Sequence, residues 1–271
     1  MGSVELQTTL PFDAAAAVQI VREASVLALD LRGRCKPDIK PDNTLVTEAD
    51  RAIEAFLQER LAQLAPDWAF LGEETGLTGD PDAPCWVIDP IDGTTNFVRG
   101  IPLWCISVGA VHRGKAIFGI IAVPPQDEIL WGAEGAGAWL QKGIANPDAP
   151  ALRLRTFDSP VVTQEDLLAC NTTAERGINF DGVPCRLRNL GSLTYHLVAL
   201  SRGMLAGSLA QGHKLYDIAA GVCICLEAGC VARYLNGDTW QANVVAARET
   251  MPVILAPPQT MDTLLDNLKL I

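Results

Sequence analysis

The chain has 271 residues, of which 49% are hydrophobic, so it can bury the core of one large α/β domain. Its formal net charge of −11 at pH 7 disfavours binding to nucleic acid or to an anionic membrane surface. Because no apolar stretch is long enough to span a bilayer and no secretory signal opens the sequence, we predict a cytoplasmic protein that does not associate with membranes.

Cysteines and histidines are placed without a metal-binding pattern. The eight cysteines include no C-x-x-C pair, and Cys223, Cys225 and Cys230 lie in one apolar segment that is predicted to be helical. They are predicted to be reduced core residues. The three histidines show no ligand spacing either, so a metal site in this chain would have to use oxygen ligands.

Two helices are predicted near the start of the chain. Residues 12–32 are rich in helix formers and apolar on more than one side, which is typical of a packed helix. Thr47 and Asp50 have the spacing of a capping box, which predicts a helix over 48–64. The polar segment between the two helices is predicted to be a loop.

Two apolar, strand-like segments then end in carboxylates. Residues 68–71 predict a short strand that stops just before Glu73, and the apolar run 85–88 leads directly to Asp89 and Asp92. A carboxylate that emerges from so apolar a strand is costly unless a cation meets it, so Asp89 and Asp92 are predicted metal ligands. An Asx turn with a helix cap is the alternative, and it explains one aspartate better than two.

The residues that follow Asp92 favour a phosphate contact. Gly93 permits a tight backbone path, and Thr94 stands where a helix or turn begins, with N–H groups exposed towards an anion. Pro90 stiffens the preceding turn.

The middle of the chain, residues 103–140, alternates apolar runs with turns and predicts an antiparallel meander. The predicted strands cover 104–111, 116–123, 128–131 and 138–140. The glycine-rich stretch 132–137 fits neither phosphate-binding fingerprint, so a hairpin turn is predicted there. The turn-rich segment 143–151 separates the expected single domain into halves of about 1–145 and 146–271.

The second half alternates strand and helix patterns. A strand is predicted over 166–170, and Gly191-Ser192 opens a helix that runs to about Arg202. A long apolar helix over 215–227 carries Asp217 in its first turn, where the helix dipole alone would also favour an acid. Segment 252–256 and a closing helix at 261–270 supply packing.

Four acids lie at the ends of apolar elements: Glu73, Asp89, Asp92 and Asp217. If these ends converge, the cluster needs hard cations, and oxygen-only ligands favour Mg²⁺, with Mn²⁺ as a substitute. The carbonyl oxygen of Ile91 offers a further ligand. Such a site suits hydrolysis of a phosphate monoester by water, with Glu73 and Thr94 orienting the water and the Gly93 and Thr94 amides holding phosphate oxygens.

Three motifs, in order, resemble the inositol monophosphatase family: Gly72-Glu73-Glu74, Trp86 to Val98 with Asp89-Pro90-Ile91-Asp92-Gly93-Thr94, and Tyr216-Asp217-Ile218-Ala219-Ala220-Gly221. The resemblance implies a layered αβαβα fold, two or three Mg²⁺ ions, lithium sensitivity and a homodimer. It also implies site residues. The metal ligands it implies are Glu73, Asp89, Ile91, Asp92 and Asp217. The catalytic residues are Glu73, Asp92 and Thr94, and the substrate contacts are Gly93, Thr94, Gly191, Ser192 and Lys214.

Departures from the family pattern bear on the substrate. Thr44 stands where many relatives have an aspartate, and Ala206 and Ala210 replace acids that relatives use near the substrate's hydroxyls. Inositol 1-phosphate is the nominal substrate, and histidinol phosphate or a sugar phosphate are alternatives. A bisphosphate such as fructose 1,6-bisphosphate would need a second basic group, for which Lys214 and Arg99 are candidates. A non-enzymatic binding protein would be expected to have lost metal ligands, and all are present.

Overall fold

The computed structural model describes residues 10–34, 37–39, 45–156, 161–246 and 248–271. Seven α-helices occur in these residues: α1 Ala14–Leu31, α2 Glu48–Leu64, α3 Thr94–Arg99, α4 Thr172–Gly177, α5 Leu193–Ser201, α6 Leu215–Glu227 and α7 Pro258–Asn267. The strands of the first half are β1 Pro37–Ile39, β2 Leu45–Thr47, β3 Ala69–Gly72, β4 Gly76–Thr78, β5 Cys85–Asp92, β6 Cys105–His112, β7 Lys115–Val123, β8 Glu128–Ala133 and β9 Gly137–Lys142. Those that follow are β10 Ala151–Arg153, β11 Leu167–Cys170, β12 Ile178–Asn179, β13 Arg186–Arg188, β14 Gly207–Ala210, β15 Val231–Tyr234, β16 Val253–Ala256 and β17 Lys269–Leu270.

The larger sheet has eight strands in the order β10-β9-β8-β7-β6-β5-β3-β4. From β5 to β10 it is an antiparallel meander, whereas β3 pairs with β5 in parallel, so both of these strands end at the same edge of the sheet. Strands β5 to β8 are almost wholly buried, because helices cover both faces. This explains why their sequences are apolar without alternation.

The five layers are helix pair, sheet, helix pair, sheet and helices. α1 and α2 pack on one face of the larger sheet, and α5 and α6 pack between it and a second sheet of order β13-β11-β14-β16-β15. α4 and α7 cover the outer face of the second sheet through a core cluster that includes Met261 and Leu264. The predicted αβαβα architecture is confirmed.

α6 lies unusually close to the larger sheet. A Cβ atom at Gly119 on β7 would overlap the carbonyl oxygen of Ala220, so glycine is required where the helix crosses the strand. The alanines of α6 complete this close contact, since Ala219 and Ala220 are fully buried. The first turn of α6, which carries Asp217, is thereby brought over the end of β5.

Most predicted elements are confirmed, and the differences have local causes. The capping box of Thr47 and Asp50 is present, and α6 has the predicted bounds. The segment between α1 and α2 was predicted to be a loop, but Pro37–Ile39 pairs with β2. The closing helix begins earlier than predicted, at Pro258, because proline suits a first helical turn, and residues 269–270 form a strand instead.

The turn-rich segment 143–151 does not end the larger sheet, because β10 still pairs with β9 beyond it. The division into two halves stays a prediction. Among the described residues, seven cysteines are free thiols, and Cys230 lies beyond the end of α6 rather than within it. Thr44 and Cys35 lie outside the described residues. In the described part of the chain, no helix is long and apolar enough to cross a membrane.

Candidate active site

A bulge in β5 orients the two aspartates. Asp89 pairs with Ser107 of β6 and Asp92 pairs with Cys105, so three steps along β5 oppose two steps along β6. In a regular strand, residues three apart point to opposite faces. The extra residue in the bulge turns Asp92 to the same face as Asp89. Pro90 lies in the bulge, where no N–H is needed for the ladder. Both carboxylates can therefore reach one cavity.

That cavity has a volume of about 360 Å³ and lies where β3, β5, α3 and α6 meet. Its lining includes every predicted metal ligand and several predicted substrate contacts. The lining residues are Leu45, Glu73, Asp89, Ile91, Asp92, Gly93, Thr94, Thr95, Gly191 and Asp217. The structure thus brings together acids that are separated by more than 140 positions in the sequence.

The carboxylates strongly oppose one another's ionisation. Asp89 is 2% exposed, and its Oδ1 atom has no hydrogen-bond partner among the described residues. Burial, followed by repulsion from Glu73, Asp92 and Asp217, raises the pKa of Asp89 well above its usual value. Burial and the nearby Asp92 raise the pKa of Asp217 to about 8. A cluster in this state favours either protons or a divalent cation.

Asp92 is held by the start of α5. The Ser192 hydroxyl donates to Asp92 Oδ2 at 2.8 Å, and the Thr194 N–H donates to the same oxygen. Burial raises the pKa of Asp92, whereas hydrogen bonds from Thr194, Ser192 and Gly93 lower it. The Thr194 hydroxyl also donates to the carbonyl of Asp217 at 3.0 Å. α5 therefore positions two of the acids relative to each other.

Gly93 lies between the end of β5 at Asp92 and the start of α3 at Thr94. Its φ of +90° belongs to the left-handed region, and a Cβ atom there would lie 3.0 Å from Ser192 Cβ and 3.1 Å from the Leu103 carbonyl. Both the backbone angle and the space therefore require glycine. A side chain at this position would press against Ser192, whose hydroxyl holds Asp92.

The hydroxyl of Thr94 faces two acceptors. It lies 3.1 Å from the Ile91 carbonyl oxygen and 3.4 Å from Asp50 Oδ1. The carboxylates of Asp50, Glu73 and Glu74 all offer oxygens within 4.8 Å of one another. Burial raises the pKa of Asp50, hydrogen bonds from Thr47 lower it, and the charge of Glu74 raises it further.

Asp50 and Glu74 are the functional candidates that sequence reasoning missed. Asp50 fits its capping box completely, since Asp50 Oδ2 accepts from the Thr47 N–H at 2.7 Å, and that local role explained the residue. Its second oxygen is the one that faces Thr94. For Glu74 the available signal was its place next to Glu73, whereas Asp50 lies 23 positions from Glu73 and its local pattern signalled only a helix cap.

The family model described as "Inositol monophosphatase family" matches residues 13–265. The chain belongs to the inositol monophosphatase family. As a member, it is a phosphatase, that is, a phosphoric monoester hydrolase. Asp50, Glu73 and Glu74 form an acidic cluster at which this family member could bind a metal ion.

Two curated relatives and one solved structure illustrate the likeness. An inositol monophosphatase 1 of Solanum lycopersicum is 37% identical over 214 residues, which cover 77% of this chain and 78% of the relative. A histidinol-phosphatase of Mycobacterium tuberculosis is 33% identical over 214 residues, or 78% and 80% of the two chains. A structure described as an IMPase/NADP phosphatase complexed with Mg²⁺ and phosphate shares the fold, with a TM-score of 0.73, 20% identity and 90% coverage of both chains.

Only some of the predicted substrate contacts line the acidic cavity. Gly93, Thr94 and Gly191 line the acidic cavity. Ser192 has its hydroxyl engaged with Asp92, and Lys214 lines a neighbouring groove instead. Their roles towards substrate stay predictions.

Three other positions that bear on the substrate lie away from the cavity lining. Arg99 is exposed at the end of α3 and is not among the described residues that line the cavity. Ala206 and Ala210 are buried, at 1% and 2% exposure, and their methyl side chains carry no polar atom.

Glu54 on α2 accepts hydrogen bonds from the turn that follows Glu73. Its carboxylate accepts from the N–H groups of Glu74 and Thr75, both at 2.9 Å, and Glu54 is only 1% exposed. Two successive amides are thus fixed by one buried side chain. Glu54 is therefore expected to be a positioning residue for Glu73.

Replacing Glu54 by Gln should weaken the response to Mg²⁺. One amide would then face an NH₂ group instead of an oxygen, which costs about 1–3 kcal/mol of stability. We expect the Mg²⁺ concentration for half-maximal activity to rise about tenfold, measured by titrating Mg²⁺ in a phosphatase assay. Glu59→Gln, at an exposed position of the same helix, is the matched control. An unchanged Mg²⁺ requirement in a destabilised Glu54→Gln protein would contradict a positioning role.

Proposed function

We propose that this chain hydrolyses a small phosphate monoester with Mg²⁺ as its cofactor. The observation that supports this most directly is the convergence of Glu73, Asp89, Asp92 and Asp217 on one cavity. Four carboxylates whose charges oppose one another need a counter-charge, and a buried Asp89 oxygen without a partner has a lone pair to offer a cation.

The donor set fits a hard divalent cation. Carboxylates and the Ile91 carbonyl are oxygen ligands, and no described histidine or cysteine lines the cavity. Mg²⁺ prefers such ligands, and Mn²⁺ is a chemically reasonable substitute. When bound, the metal would supply positive charge to phosphate oxygens and increase the acidity of water.

Three residues around the cavity would have separate roles in the reaction. Thr94 would orient the attacking water, because its own proton is directed at Ile91 or Asp50 and its oxygen is left to accept. Glu73, which has a carboxylate oxygen within 4.8 Å of Asp50, would receive the proton of the attacking water. The bond between phosphorus and the ester oxygen would break, and the leaving oxygen would take a proton from a second water molecule to give the alcohol. Asp92 would keep its position through Ser192 and Thr194.

The phosphate would be held by the backbone amides of Thr94 and Thr95, which line the cavity at the start of α3, whereas the Gly191 N–H already donates to Asn189 Oδ1 at 3.1 Å. The Gly93 N–H is turned towards Asp92, as its effect on the Asp92 pKa indicates, so it contributes less to the phosphate than the sequence pattern suggested. No protein nucleophile is required in this scheme.

Inositol 1-phosphate is the first candidate substrate, because the tomato inositol monophosphatase is 37% identical. Histidinol phosphate is the second, and the mycobacterial histidinol-phosphatase at 33% identity favours it specifically. The buried Ala206 and Ala210 provide no acceptors for the hydroxyls of a polyol, which weakens the case for inositol. A sugar bisphosphate has less support, since neither Arg99 nor Lys214 is among the described residues that line the cavity.

Further proposals follow from membership of the family. We propose two or three Mg²⁺ ions per site, inhibition by lithium, a homodimeric assembly and a cytoplasmic location. These rest on resemblance and on the acidic cluster, and the partner of the site is a small phosphorylated metabolite.

Release of inorganic phosphate tests the proposal. Inositol 1-phosphate, histidinol phosphate and fructose 1,6-bisphosphate should be compared with Mg²⁺ present, then with excess EDTA, then with Mg²⁺ restored. We expect EDTA to lower the rate on the best substrate at least about 100-fold, and Mg²⁺ to restore it. Activity that is unaffected by removing the metal would show the mechanism to be wrong.

A further inference from the structure

The C-terminal end of α6 brings two cysteines together. Gly229, with a φ of +105°, follows the helix, and its N–H donates to the Leu226 carbonyl at 3.0 Å. The N–H of Cys230 donates to the Cys225 carbonyl at 2.9 Å. These two bonds form a Schellman motif, in which the side chains at the positions of Cys225 and Cys230 commonly contact each other. We call Cys225 and Cys230 the thiol pair.

The backbone geometry of the thiol pair suits a disulfide bond. The hydrogen bond of 2.9 Å between the Cys230 nitrogen and the Cys225 oxygen limits the separation of the two Cα atoms to about 6.8 Å or less. Disulfide bonds form at Cα separations of about 4.4–6.8 Å. The two thiols also interact directly, because a hydrogen bond between them shifts the pKa of both. A bond between the sulfur atoms is therefore compatible with the backbone as it stands.

Cys230 is the member of the thiol pair that ionises more readily. A hydrogen bond with the Cys225 thiol lowers the pKa of Cys230, burial raises it, and a hydrogen bond with Thr156 lowers it again, so that the net change is downward. The Cys230 sulfur lies 3.1 Å from the Thr156 hydroxyl, which can turn to donate to a thiolate. Burial raises the pKa of Cys225 and of the five other described cysteines. Because the thiolate is the nucleophile, Cys230 is the thiol expected to react first.

A cavity away from the acidic site leads to the thiol pair. It has a volume of about 380 Å³, and its lining includes Thr156, Ala228 and Gly229. Thr156 contacts the Cys230 sulfur, and Gly229 precedes Cys230 in the chain. Cys230 is 5% exposed, whereas Cys225 is fully buried. A small oxidant in this cavity would therefore meet Cys230 before Cys225.

We propose that the thiol pair is an oxidation site at which hydrogen peroxide produces a disulfide between Cys225 and Cys230. The Cys230 thiolate attacks one peroxide oxygen, the O–O bond breaks, and the hydroxide that leaves takes up a proton to become water. The Cys225 thiol then loses its proton and attacks the sulfenic sulfur of Cys230, and the sulfenic oxygen leaves with two protons as a second water molecule. Two thiols are oxidised and one peroxide is reduced. This reaction does not depend on the phosphatase function, since the thiol pair lies at the opposite end of α6 from Asp217.

Mass spectrometry of the folded protein after treatment with hydrogen peroxide tests the site. The free thiols are alkylated in denaturant, and trypsin then releases residues 215–233, which contain Cys223, Cys225 and Cys230. We expect Cys223 to be alkylated and the other two to form an internal disulfide that dithiothreitol reverses. Cys225→Ala and Cys230→Ser should each abolish this disulfide. Cys223→Ser is the matched control and should retain it, because the Cys223 thiol donates instead to the Gly132 carbonyl at 3.5 Å.

A trap for sulfenic acid identifies the attacking thiol. In Cys225→Ala, dimedone added with the peroxide should label Cys230 at least about tenfold more than Cys223, and this variant must first be shown to unfold cooperatively on heating. In Cys230→Ser, Cys225 should be labelled no more than Cys223. Equal labelling of Cys230 and Cys223 would overturn the proposal, as would the absence of the disulfide from the folded, unaltered protein. A disulfide that forms only after unfolding, or that Cys223→Ser abolishes, would overturn it as well.

Discussion

Asp89→Asn is expected to reduce phosphatase activity by about a thousandfold or more while leaving the chain folded. Asp89 is the most buried of the cavity acids, and its Oδ1 atom has no partner among the described residues. An amide nitrogen or oxygen in its place cannot supply the negative charge that a divalent cation needs. The loss should therefore appear at saturating substrate and should not be recovered by raising Mg²⁺.

The stability of this variant provides an independent readout. In EDTA, Asp89→Asn should unfold at the same temperature as the unaltered protein or higher, because the substitution removes repulsion from Glu73, Asp92 and Asp217. Mg²⁺ should raise the unfolding temperature of the unaltered protein and have much less effect on the variant. Asp82→Asn, at an exposed acid on the preceding turn, is the control for both measurements. Full activity in Asp89→Asn would contradict the metal site.

Without divalent metal, the free energy of unfolding is expected to fall as pH rises from about 6.5 to about 8.5. Asp217 has a pKa of about 8 in the folded chain, far above that of an unfolded aspartate, so the folded state binds more protons in this window. Stability from the protonated carboxyl is present at low pH and is lost as pH passes the folded pKa. One proton over this range corresponds to about 2 kcal/mol.

The lower limit of this window is set by two buried histidines. Burial lowers the pKa of His196 and His213 to about 4, so below pH 6.5 these groups favour unfolding as pH falls and oppose the effect of Asp217. Above pH 6.5 their contribution is complete. The aspartates then dominate the slope.

Urea unfolding at several pH values measures this linkage. In EDTA the unfolding free energy should fall with pH, and in Mg²⁺ the fall should be smaller or reversed, because the cation replaces the protons. Asp217→Asn should flatten the EDTA curve. A free energy that rises with pH above 6.5 in EDTA would show that the acids are not forced together as the structure has them.

Local patterns in the sequence predicted the elements that depend on neighbours in the chain. Thr47 and Asp50 marked the start of α2, and the apolar run from Leu215 defined α6, because capping and helical periodicity act within a few residues. Prediction was less successful where a contact decides the conformation. Pro37–Ile39 forms a strand only because β2 is available to pair with it.

The ligand candidates followed from a general cost. A carboxylate beside apolar neighbours, as at Asp89 and Asp217, needs a compensating charge whatever the fold, so residue type and position identified these acids. Their shared cavity confirms that they converge, although their roles as ligands stay a prediction.

By itself, the sequence determined which acids leave apolar elements, and hence the divalent-metal chemistry that we expect. Only the tertiary structure decided what surrounds them: Asp50 facing Thr94, Ser192 holding Asp92, and Glu54 fixing the turn at Glu73. The physical reason is distance along the chain. Burial cost and capping are local properties, whereas these contacts join segments that are 20 to 100 or more residues apart, and only the packing of α2, α5 and α6 around β5 brings them together.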